Sequence, residues 1–98
     1  MAYRQYNFVI NRYNRTQVVP RQRNCNGFTV TNLGDTTILV NGAILFPSAT
    51  PLTAQGDSKS FGGNEGETYI GYIQLTFQFP IGAAPLAEII QKFYIDIP

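Results

Sequence analysis

Arg4, Arg12, Arg15, Arg21 and Arg23 all fall within the first 23 residues, interleaved with Tyr3, Tyr6, Phe8 and Tyr13. A guanidinium group is a planar fork that donates two parallel hydrogen bonds to a phosphate or a carboxylate. Two chemistries follow from the pattern. The arginines could neutralise phosphates while the rings stack on unpaired bases. Alternatively, each arginine could sit at the rim of a neighbouring subunit's acidic surface, with the aromatics in pockets beneath. Arg4, Tyr6, Arg12, Tyr13, Arg15, Arg21 and Arg23 are therefore the candidate contact residues, for assembly or for nucleic acid. No acidic residue precedes Asp35, so this segment carries +5, whereas the remainder sets Lys59 and Lys92 against six carboxylates, a balance of −4. The expected organisation is a basic N-terminal arm over residues 1–24 joined to an acidic body over residues 25–98. Identical copies built that way can mate head to tail around a ring.

Groups suited to catalysis are sparse. The chain contains no histidine, so a serine, threonine or cysteine nucleophile has no imidazole base. Cys25 follows Arg23 by two positions, which favours a thiolate, but a small buried side chain beside the sheet is the simpler reading. As the sole cysteine it forms no disulfide within the chain, and no CxxC or Cys/His cluster offers a zinc site. Glu65 and Glu67 flank Gly66 with nothing nearby to mark a substrate cleft. The GGNEGE segment lacks the GK[ST] ending of a phosphate loop, and its acids would repel phosphate. Asp57, Glu65 and Glu67 offer oxygen ligands to calcium at a spacing unlike an EF-hand loop. Gly62, Gly63 and Gly66 are better explained by a hairpin that needs positive φ. A non-enzymatic protein without metal or cofactor is expected.

The elements that must position these residues read as strands. TYIGYIQLTFQFP has a period of two: Tyr69, Gly71, Ile73, Leu75, Phe77 and Phe79 share one face, Thr68, Tyr72, Gln74, Thr76 and Gln78 the other, with Ile70 out of pattern. Asn41-Gly42, between TTILV and AILF, is the pair that a two-residue type I′ turn demands. With the alternating GFTVTN upstream, residues 27 to 46 read as three successive antiparallel strands. Ser58 to Phe61 is a short strand in the Pro-, Ser-, Thr- and Gly-rich stretch from Pro47 to Gly66. LAEIIQKFYIDIP fits either period, and its β-branched and aromatic content favours a strand with Ile89, Phe93, Ile95 and Ile97 on one face. Within the arm, Tyr6, Phe8 and Ile10 alternate with Asn7, Val9 and Asn11, so part of it suits a strand added to its own or a neighbour's sheet. The expected fold is a single small antiparallel β-sandwich or jelly-roll-like domain. Its expected core is Phe28, Val30, Ile38, Val40, Ile44, Phe46, Ile73, Leu75, Phe77, Phe79, Phe93 and Ile95.

Composition agrees. Ninety-eight residues suit one domain, and 44% hydrophobic residues with seven Phe and six Tyr can fill a core. Only 13% of residues are charged, about half the usual share, so Asn, Gln, Thr, Ser and Gly must cover the surface. That mixture favours sheets and contact with neighbouring subunits. No run approaches the roughly 20 apolar residues of a membrane span, and the first residues lack a signal-peptide core, so synthesis in a cytoplasm is expected.

Val30-Thr31-Asn32, Gly34, Thr36 and Val40-Asn41-Gly42 form one motif, and Gly56, Ser58, Phe61-Gly62-Gly63-Asn64 and Gly66-Glu67 a second. Together with the aromatic strand through Leu75 and Phe77, residues 27 to 77 resemble the small β-rich virion proteins of phages of Bacteroidetes-type hosts. The resemblance implies a structural, non-enzymatic role in the virion, as a minor capsid, vertex, decoration or tail-connecting component. It implies a homo-oligomer in contact with other capsid or tail proteins, made in the host cytoplasm. The arm lies outside the matched stretch and leaves two further readings open. One is a single-stranded nucleic-acid-binding module that uses the arm. The other is a receptor- or glycan-binding tip built from the 47 to 66 loops with Tyr72 or Tyr94.

Overall fold

In the computed structural model the described residues are 3–49 and 54–97, without the side chains of residues 3, 4, 96 and 97. They form eight strands and no helix: β1 (Tyr3–Tyr13), β2 (Gln17–Val19), β3 (Cys25–Asn32), β4 (Ile38–Val40), β5 (Ala43–Leu45), β6 (Ser58–Gly62), β7 (Ile73–Phe77) and β8 (Ala87–Ile97). The pairings are nested. β1 runs antiparallel to β8, β2 to β7, β3 to β6 and β4 to β5. Two further ladders, β3 with β8 and β4 with β7, fold this four-rung hairpin into sheets of order β1-β8-β3-β6 and β2-β7-β4-β5. A double-sheet wrap of this wiring is a jelly roll, so the expected all-β antiparallel sandwich is the architecture observed.

The core lies where the two inner faces meet. Phe28, Val30, Ala87 and Ile89 come from the first sheet, and Val19, Ile38, Val40, Leu45, Ile73, Leu75 and Phe77 from the second. Phe28 stacks on Phe61 at 4.8 Å and meets the edge of Tyr69 at 5.1 Å, which closes the open side of the first sheet.

Several expectations are corrected. Residues 27 to 46 do carry three successive strands, but only β4 and β5 pair with each other, because the chain crosses from the first sheet to the second between Asn32 and Ile38. Ile44 and Phe46 are exposed, and Leu45 is buried in their place. The Asn41-Gly42 turn itself explains this: both residues have positive φ and Val40 pairs with Ala43, so parity places Leu45 opposite inward-facing Ile38. The strand through TYIGYIQLTFQFP spans only Ile73–Phe77, and Phe79 is 85% exposed beyond its end. β8 is a strand, as expected, but Ile95 is exposed and Phe93 only half-buried. Its ladder with β1 runs on to Tyr3 and Ile97, whereas its ladder with β3 stops at Cys25 and Phe93, so this end projects as a two-stranded ribbon.

Three buried amides tie the wrap together at places where the backbone leaves its ladders. Asn32 Nδ2 donates to the carbonyls of Thr36 (2.9 Å) and Leu45 (3.0 Å), and its Oδ1 accepts from Gly34 N–H (3.1 Å). Gln91 Nε2 donates to Pro20 O at 2.8 Å while its Oε1 accepts from Gln22 N–H at 2.7 Å, which fixes the β2–β3 link to β8. Asn26 Nδ2 donates to Asn64 O and Glu67 O at 2.7 and 2.9 Å and so anchors the glycine-rich loop. The Asn32 bonds satisfy carbonyls of two buried residues, Thr36 and Leu45, whereas the Oδ1 of Asn26 is itself buried without a hydrogen-bond partner.

Asp35 holds the β7–β8 connection from outside. Its carboxylate accepts from Ala84 N–H at 3.1 Å and from the Thr36 hydroxyl at 2.9 Å, and the Ala84 bond leads in holding its pKa below the ordinary 3.8. A depressed carboxylate contributes stability above its unfolded pKa and loses it as the pH falls through the folded value. The Ala84 amide resonance should therefore hold its native position down to about pH 4 and move below it. In Asp35→Asn that acid-induced movement should be absent.

Candidate functional site

The segment read as an arm is part of the body. β1 pairs with β8 over its whole length, and β2 pairs with β7, so residues 3–19 contribute a strand to each sheet. The backbone ladder overrides the composition: pairing fixes alternate side chains to opposite faces, whatever charge they carry. Tyr6, Phe8, Ile10 and Arg12 fall on the outer face, and Val9 and Tyr13 on the inner.

The seven candidate residues are consequently dispersed. Arg12 lies 3.1 Å from the Glu88 carboxylate, through both Nε and Nη2, directly across the β1–β8 ladder. Its acidic partner belongs to its own chain, 76 residues away in sequence. Arg15 is exposed in the β1–β2 turn. Arg21 donates from Nη1 to Gly71 O at 2.8 Å, and exposed Arg23 leads into β3. Because β1 and β2 run in opposite directions, Arg12 and Arg15 lie at one end of the sandwich and Arg21 and Arg23 at the other. Arg4 pairs through its backbone with Asp96, and its side chain lies outside the described residues.

The tyrosines are engaged internally. Tyr13 packs against the core, and burial pushes its phenol pKa up. Tyr6 meets Tyr94 edge-on at 6.3 Å, carries the Lys92 ammonium 4.5 Å from its ring centroid, and accepts from Gly66 N–H at 3.2 Å. An interleaved comb of free rings and guanidinium groups is thus not assembled.

Cys25 is 1% exposed. Burial raises its thiol pKa above the ordinary value, which outweighs the lowering by Arg21 and by the Gly27 backbone. The buried, protonated thiol is a packing element. Asp57 accepts from Phe46 N–H at 2.9 Å and is not gathered with Glu65 and Glu67. Among the described residues no group of three His, Cys, Asp or Glu side chains could hold a metal ion. Gly62, Gly63 and Gly66 have φ of 68°, 97° and 82°, which accounts for that glycine cluster.

What the surface offers instead is apolar. Phe8 (63%) and Ile10 (58%) stand out from the first sheet beside Ile90, next to a flat row of hydroxyls in which Thr29 meets Ser60 at 2.8 Å and Thr31 meets Ser58 at 3.0 Å. At the opposite face, an open cleft of about 690 Å³ lies between the β1–β2 turn and the end of β7, lined by Leu39, Thr76, Phe79 and Ile81 with Arg15 at the rim. Sequence reasoning missed both surfaces, since it assigned Phe79 to the core and Phe8 to an arm. The hairpin parity and the length of β1's alternating run were the available signals. No family model, curated protein or solved structure matches the chain.

Proposed function

We propose that this chain is a non-enzymatic structural subunit of a virus or phage particle, present in symmetric copies beside other capsid or tail proteins. The observation that carries the reading is a jelly-roll body whose two sheets both present large apolar side chains outward. Phe8 and Ile10 do so on one sheet, and Ile44, Phe79 and Ile81 on or beside the other. Jelly rolls recur in capsid shells and in lectins, and that part of the support is an analogy of architecture. The surface adds a physical argument: apolar residues at this density on a charge-poor domain of 98 residues favour burial against neighbours. Contact runs through sheet faces and edges rather than through a detached arm. The dispersed arginines and packed Tyr6 and Tyr13 give less support to a nucleic-acid-binding module. A receptor- or glycan-binding tip draws on Tyr72, which is 79% exposed, whereas Tyr94 is buried.

The test is quantitative mass spectrometry of density-purified, protease-washed particles from infected cells. A fixed whole-number ratio to the major shell protein is expected. Absence from such particles overturns the reading.

A further inference from the structure

The sandwich has four strand edges, and three of them are protected. β2 and β5 are three residues long and are followed by Pro20 and by Phe46-Pro47, and β6 is five residues long and carries Lys59. The outer edge of β1 is different. It runs for eleven residues without proline or glycine, with Phe8 and Ile10 exposed beside it. Arg4 and Arg12 charge only its two ends, and a long edge with an exposed apolar middle is a template for pairing that folded proteins shorten, charge or cover. We infer that β1 pairs antiparallel with β1 of a second copy of this chain, about a two-fold axis through Val9, joining two four-stranded sheets into one of eight. The inference rests on the assembly reading above and names the contact.

The register follows from charge and from parity. A two-fold axis perpendicular to the sheet keeps outer face with outer face, so the axis must pass through a residue. Centred on Phe8, the pairing sets Arg4 against Arg12, two cations directly opposed. Centred on Asn7 or Ile10, it sets an arginine against Ile10 or Phe8. Centred on Val9, it sets Phe8 against Ile10 of the partner subunit on both sides of the axis, and Arg12 against Tyr6 of the partner subunit. The arginines are then separated, and Arg12 is already neutralised by Glu88 of its own chain at 3.1 Å. Phe8, Ile10 and Ile90 of the two copies become one continuous apolar strip, because Ile10 already pairs with Ile90. The pattern is self-complementary.

Single cysteines test the axis, with the wild type as blank because its only thiol, Cys25, is buried. Under mild oxidation the full-length Val9→Cys protein is expected to form a disulfide-linked dimer, since opposed residues lie about 4.5–5.5 Å apart at Cα, within reach of the bond. Asn7→Cys alone should give no dimer, and an equal mixture with Asn11→Cys should give the mixed one. Light-scattering mass, measured up to high protein concentration because edge contacts are small, should fall to monomer for Phe8→Lys/Ile10→Lys, with a cooperative melt retained and no longer dependent on protein concentration. Efficient linkage through Asn7→Cys in place of Val9→Cys overturns the register. An oligomeric wild type that Val9→Cys does not cross-link and Phe8→Lys/Ile10→Lys does not dissociate overturns the β1 contact while the assembly reading stands. A chain missing from purified particles removes the assembly reading itself, whatever its mass in solution.

Discussion

Phe77→Asp should leave no folded protein, while Phe79→Asp should fold and melt like the wild type. The two phenylalanines are two positions apart on one alternating run, and the run alone assigns both to the core. Phe77 is 3% exposed, pairs with Ile38 and packs against the inner faces of both sheets; Phe79 is 85% exposed. A carboxylate at position 77 would be buried without a partner, and it would either ionise at a large desolvation cost or hold a proton against its preference. The penalty, together with the lost apolar contact, is comparable to the entire stability of about 5–15 kcal/mol expected of a small domain. At position 79 the change should stay within about 0.5 kcal/mol. Far-UV circular dichroism and thermal melts of the two variants decide it. A cooperative melt from Phe77→Asp would mean that β7 presents the opposite face to the core.

The second large effect is expected at a polar residue. Asn32→Ala strips partners from two buried carbonyls and one buried N–H, those of Thr36, Leu45 and Gly34. With each unsatisfied group costing about 1–3 kcal/mol and water able to refill part of the space, a loss of about 3–5 kcal/mol follows. For a domain of this size that lowers Tm by about 15–30 °C. Asn32→Asp should be at least as damaging although it is nearly the same shape, since it keeps the Gly34 contact and turns both donor contacts into oxygen facing oxygen. Asn14→Ala, at an exposed position, serves as the control. Denaturant titration of the three variants gives the ranking, and equal stability of Asn32→Asp and wild type would show that the amide does not bridge the sheets.

These residues also show which parts of the fold were legible in the sequence. Asn41-Gly42 announced its hairpin because a two-residue loop with two positive φ values tolerates few other pairs. The same turn contained the correct parity for Leu45, since setting Val40 opposite Ala43 also sets Leu45 opposite Ile38. Cys25 was legible as a packed thiol. The arm was misread because charge was counted along the chain, whereas a jelly roll pairs residues that are remote in sequence. Arg12 meets Glu88, and no local window contains both. Asn26, Asn32 and Gln91 were invisible for a related reason. Amides are ordinarily surface residues, and what buries these three is the crossing of chain segments set by topology rather than by local pattern. The outward apolar strip at Phe8 and Ile10 had a sequence signal, an uninterrupted alternation, but its meaning depended on β1 being an edge.

The nesting of the ladders has a kinetic consequence. The outermost rung joins Tyr3 to Ile97, so β1, although synthesised first, has no partner within its sheet until β8 has been made. The innermost rung, β4 with β5, closes across two residues and can form at once. Closure from the inside outward is the expected order, because each inner ladder shortens the loop that the next rung must close, and the sequence-remote outer pairings predict slow folding. On the ribosome the alternating strand that carries Phe8 and Ile10 stays unpaired through most of synthesis, the interval in which an open edge is most prone to join the wrong chain.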